Sequence, residues 1–184
     1  MAAYAQRLAC ALAQIDAANL ADPRLADWQG QLRAQEWIYS QHMRRWLFAL
    51  EAAPSELLQI ACHAQHIERW TMPRSGYPEG RAAYHQWRSA CAQMHGAKAA
   101  QIMADCGYAA AECEQVQTLI SKSQLRHDAT TQLLEDVACM VFLEQYFAPF
   151  YEQKADYERE QWLRIVRLTW CKMTPRGHTA ALQL

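Results

Sequence analysis

Two histidines three residues apart, His63 and His66, followed at once by Glu68 and Arg69, are the first residues whose types and spacing suggest chemistry. On a continuous helix an i, i+3 pair shares a face. Two imidazoles there can reach one metal ion, or can simply exchange hydrogen bonds in a crowded interior. A second cluster follows. Arg69, Arg74, Arg81 and Arg88 are spread over twenty residues, and the last three recur every seven; Trp70, Tyr77 and Tyr84 recur with the same period, and Trp87 follows. A planar guanidinium binds phosphate or carboxylate bidentately, and an aromatic ring can stack a base or a sugar. Arg69, Arg74, Tyr77, Arg81, Tyr84 and Arg88 are therefore the candidate substrate contacts. The alternative is that these arginines pair with Glu68, Glu79 and other carboxylates and pin the loop. Further along, Glu135 and Asp136 stand in the apolar run LLEDVACMVFLE. An acid in such a run is buried only if paired or metal-bound. Asp136 shares a helical face with Cys139, Met140 and Leu143, so it could ligate a metal or accept from His66 or an arginine.

These groups must be carried by helices. The chain has 184 residues, 52% of them hydrophobic and 20% charged, which suits one domain with its own core over residues 1–184. Six glycines and six prolines are too few for an all-β protein. The spacing predicts an all-α bundle of about seven helices. The first ends at Asp22-Pro23, and the second follows Gly30. The third opens at Pro54-Ser55-Glu56 and runs to about Trp70. The fourth starts near Arg81, with a break before His95. The fifth covers AECEQVQTLISKS and the sixth LLEDVACMVFLEQYF. The seventh reaches Trp170, and Pro175-Arg176-Gly177 closes it. TMPRSGYPEG is the one long irregular stretch, the kind of loop on which sites sit.

The remaining bulk features exclude some classes. A net charge of -1 gives no bulk field to attract nucleic acid, so that partner is disfavoured. No run approaches a membrane span. Seven dispersed cysteines with no CxxC pair are expected as free, mostly buried thiols, which fits a reducing cytoplasm.

The segment HGAKAAQIMADCGYAAAECEQVQTLISK, from His95 to Lys122, together with LEDVACMVFLE, resembles the HD-domain (His-Asp) phosphohydrolases, an all-α family. On that resemblance the metal ligands would be His42, His66 and Asp136, with His95 as an accessory histidine; Ile67 stands where the aspartate of the His-Asp pair belongs, and Lys122 lies near a position where a further histidine is common. A narrower likeness spans nearly the full length through DAANLADP, AQHIERW, PRSGYP, YHQWR, LEDVACMVFLE and TWCKMTPRGH. It resembles domain-of-unknown-function family 4202, which sits near the HD domains and carries no established reaction.

Two expectations follow. The first is a metal-dependent hydrolase of a small phosphorylated or nucleotide-like substrate. In it a divalent ion (Mn, Fe, Zn or Mg) on His66, Asp136, His95 and His42 activates water; Glu135 or Glu68 acts as general base, and the arginines with Lys122 hold the phosphate. The alternative is a metal-free module on a degenerate HD frame, binding an anion or nucleotide, or contacting RNA or protein.

Overall fold

The computed structural model describes residues 2–125, 127–154 and 156–184, with side chains from Gln6 onward. As expected, the class is all-α. The order along the chain is α1 (Ala2–Leu20), β1 (Leu25–Trp28), β2 (Gln31–Ala34), α2 (Gln35–Leu50), α3 (Glu56–His63), two 3-10 turns at Arg69–Thr71 and Arg74–Gly76, then α4 (Arg81–Asp105) and α5 (Ala110–Ser121). A further run comprises α6 (Ala129–Val141), a π-turn at Phe142–Tyr146, α7 (Phe147–Gln153), α8 (Arg159–Trp170) and α9 (Pro175–Ala181).

α3 is the hub. Ile60, Ala61 and Cys62 are fully buried, and the helix touches α1, α2, α5 and α6. Met43 and Leu47 of α2, Val116 and Ile120 of α5 and Leu134 and Val137 of α6 close the same core, the removal of their apolar surface from water being the main stabilising force. α4 and α5 form an antiparallel pair. Gly96 lets them approach, since a Cβ there would lie 3.3 Å from the Gln117 backbone.

The structure corrects the sequence-based expectations in five places. The second helix starts at Gln35, because residues 25–34 form a β-hairpin whose two-residue loop, Gln29-Gly30, has positive φ at both positions, the geometry that joins twisted strands. Asp22 secures its base by accepting from the backbone N–H of Arg24 and of Glu36. The third helix stops at His63, seven residues short of Trp70, and the chain turns through a left-handed Glu68 (φ 53°). α4 runs unbroken through His95. Pro175 opens α9 rather than closing a helix, at an early position where its missing N–H costs nothing, while the Thr174 side chain caps by accepting from Gly177 N. The seven cysteines are not all free: Cys10 of α1 and Cys106, at the end of α4, form a disulfide. Among the described residues no helix is long and apolar enough to cross a membrane.

Candidate functional site

The turn after α3, one face of α4, the end of α5, α6 and the α8–α9 turn enclose a cleft of about 310 Å³. α4 contributes Arg88, Cys91, Ala92 and His95, whose i, i+3, i+4, i+7 spacing is one helical stripe. The turn contributes Gln65, His66 and Arg69; α5 ends in Lys122, whose left-handed backbone (φ 54°) also terminates the helix. Glu135 comes from α6, and Lys172 from the turn before α9.

Arg69 donates to Nε2 of His66 at 2.6 Å. A guanidinium has no lone pair, so the imidazole lone pair must be on Nε2 and the proton on Nδ1, which faces the Glu36 carboxylate at 3.6 Å. The His66 ring stacks on buried Tyr39, centroids 3.9 Å apart. Burial, then Arg69 and the other nearby cations, hold the His66 pKa well below its ordinary value. His95, 2% exposed, donates from Nδ1 to the carbonyl of Ile67 at 2.7 Å. That fixes its tautomer too, with the lone pair on Nε2, which has no partner among the described residues. Burial lowers its pKa to about 4 against the support of the Ile67 carbonyl. Both imidazoles are thus neutral near pH 7, with ring centroids 5.9 Å apart.

Glu135 is gripped by two lysines, Lys122 at 2.5 Å and Lys172 at 3.7 Å. Burial works to raise its pKa, but Lys122, Lys172 and Arg88 overcome this and the net value is lowered. An ionised carboxylate held by cations orients those cations; it is a poor proton acceptor. Arg69 lies over the Trp87 ring at 4.8 Å, and Trp87 donates from Nε1 to the Met72 carbonyl, pinning the irregular loop to α4. Arg69 and Arg88 form no ion pair among the described residues, their contacts being His66, Trp87 and Tyr84.

Of the residues the sequence singles out, His66, His95, Arg69, Trp87, Arg88, Lys122 and Glu135 meet in this cleft, and the others do not line it. Arg74 donates to the Tyr77 carbonyl and staples the loop. Arg81 donates to His85, and Tyr84 lies exposed beside Arg88. Glu68 pairs with Lys98. His42 packs edge-on against Trp28 of the hairpin. His63 bonds Asp16, because α3 ends there and the expected i, i+3 face with His66 does not exist.

Asp136 has a different task from the one expected. Adjacent residues on a helix point about 100° apart, so when Glu135 faces the cleft Asp136 cannot. It accepts from the backbone N–H of Thr174 at 2.8 Å and, in a short contact, from the Thr174 hydroxyl. It lines a separate groove with Thr174 and Arg176. The pair Glu135-Asp136 therefore seizes the C-terminal segment twice, and this brings in Lys172, which the sequence does not announce. Gln132 adds a bond to the Lys172 carbonyl at 2.6 Å.

The four expected metal ligands accordingly do not converge, and no group of three or more His, Cys, Asp or Glu among the described residues is arranged to hold a metal ion. His66 presents its lone pair to a guanidinium, and the cleft is rich in cations. That donor set does not suit a divalent ion. It suits an anion.

The model of a family described as Domain of unknown function (DUF4202) matches residues 9–184. No curated protein and no solved structure matches the chain.

Proposed function

The chain belongs to the DUF4202 family, whose description names no activity, and we propose from its own geometry that it binds the phosphate group of a small phosphorylated molecule in the cleft between α4 and α6. The observation that carries this is the charge balance of the lining: Arg69, Arg88, Lys122 and Lys172 line the cavity, with Glu135 as the one carboxylate among the described lining residues. Charge-assisted bonds to an anion are short and about twice as strong as neutral ones. Glu135 keeps Lys122 and Lys172 in place without neutralising the two arginines.

The HD-like reading belongs to this proposal. Ile67, where that motif has an aspartate, contributes a backbone carbonyl that locks His95. This favours a frame that has exchanged metal ligation for anion recognition. A second reading, hydrolysis of the bound phosphoester, is favoured by the Nε2 lone pair of His95, which has no partner among the described residues and can accept a hydrogen bond from an attacking water.

Thermal unfolding in inorganic phosphate tests the binding. Millimolar phosphate should raise Tm equally with and without EDTA, and Arg88→Ala, at an exposed position, should weaken the effect about tenfold. No stabilisation by phosphate would refute the proposal. Phosphate release from p-nitrophenyl phosphate, measured alongside, separates turnover from binding.

A further inference from the structure

We infer that the ligand of this cleft is a hydroxylated phosphate monoester of the sugar-phosphate class, one of whose hydroxyls donates to Nε2 of His95. The inference rests on the anion-binding reading and narrows it.

The phosphoryl group of a phosphate monoester dianion offers only acceptors, and the cations satisfy it. The cleft also contains acceptors that a phosphate cannot serve. His95 is 2% exposed; one edge of its ring is committed to the Ile67 carbonyl, so the other edge presents a bare lone pair. Gln65, 7% exposed, also lines the cleft, and its buried side-chain oxygen has no partner among the described residues. Native interiors rarely leave such atoms unpaired, and an active site is where they are kept for a ligand. His66 does not compete for this role, since Arg69 occupies its lone pair. The complementary molecule therefore has an anionic end and at least one O–H or N–H donor a few ångströms away.

Two further observations choose hydroxyls over a nucleobase. Among the described residues no Trp, Tyr or Phe face is offered to the cleft, since Trp87 is buried with Arg69 over it, Tyr39 and His66 cover each other, and Tyr77 and Tyr84 lie outside; His85 is the exposed ring of the lining. A base would have no indole or phenol ring to stack on. The volume of about 310 Å³ is at the small end of ligand pockets.

Isothermal titration of the full chain with inorganic phosphate, ribose 5-phosphate and AMP tests this. The wild type should bind ribose 5-phosphate about tenfold or more tighter than phosphate, because a phosphate held by the cations places no O–H on the buried acceptors and such a site discriminates strongly against a ligand that leaves them unpaired. His95→Asn, which retains an amide N–H for the Ile67 carbonyl, and Gln65→Leu should each reduce that advantage while leaving the affinity for inorganic phosphate within about twofold; circular dichroism checks that both fold. Equal affinity of the wild type for phosphate and ribose 5-phosphate would overturn the inference and leave phosphate binding intact. So would a preference that survives both substitutions, or AMP binding tighter than ribose 5-phosphate. If neither phosphate nor ribose 5-phosphate binds, the anion-binding reading falls with it.

Discussion

Lowering the pH should unfold this protein partly through one ring, that of His95. Its pKa is about 4 in the folded chain against 6.5 for the free side chain, burial being the main cause. The sign follows from linkage. The unfolded chain takes up the proton first as pH falls, so the stability is complete above about pH 6.5 and is lost between there and about pH 4. A separation of about 2.5 pH units, at about 1.4 kcal/mol each, sets the loss at about 3 kcal/mol by pH 4 and somewhat less at pH 4.5. His95→Asn removes this titration and keeps a donor for the Ile67 carbonyl. It forfeits ring packing, but that cost is the same at every pH. Urea unfolding of both proteins at pH 7.5 and pH 4.5 isolates the difference. The wild type should lose about 2–3 kcal/mol more than the variant over this interval. Carboxylates and His66, common to both chains, contribute similarly to each. Parallel losses, agreeing within about 0.5 kcal/mol, would refute the claim that His95 is buried neutral with its lone pair toward the cleft.

Two other outcomes follow from the packing. Asp136→Ala strips the acceptor from two Thr174 donors and should cost about 2–3 kcal/mol, while Gly177→Ala forces a Cβ to 3.0 Å from the Asp136 carboxyl and should cost about 1–3 kcal/mol. In a double-mutant cycle by chemical denaturation the pair should cost clearly less than the sum, because removing the carboxylate makes room for the methyl; additivity would show that the two residues do not touch. Reduction of Cys10–Cys106, which closes a 96-residue separation, should destabilise the chain by up to about 4–5 kcal/mol. A phosphine reductant should lower Tm in the wild type and leave Cys10→Ser unaffected, and an unchanged wild-type Tm would rule the bridge out.

The sequence by itself determined the helical class, the approximate spans of α5 and α6, and the cation-rich character of the region around α4. Apolar residues at helical spacing and scarce glycine and proline are local facts, and locally encoded features survive any tertiary arrangement. Arg88 and His95 share one face because α4 runs unbroken between them, where the sequence had suggested a break. Tertiary structure decided the rest. No breaker residue marks the end of α3; the chain leaves the helix at Ala64 (φ -93°, ψ 4°), and the turn that begins there separates His63 from His66. The hairpin before α2 carries helix-forming residues and is held by Asp22 and the positive-φ loop. Lys172 is 50 residues beyond Lys122 in the chain and meets it only because Glu135 bonds both. Which way Asp136 points, and hence whether the cleft carries a metal-ligating carboxylate or a ring of cations, was fixed by Thr174 arriving from the far end of the chain. Side-chain direction in a buried helix is set by whichever partner satisfies the group, and that partner is a property of the fold rather than of the neighbouring residues.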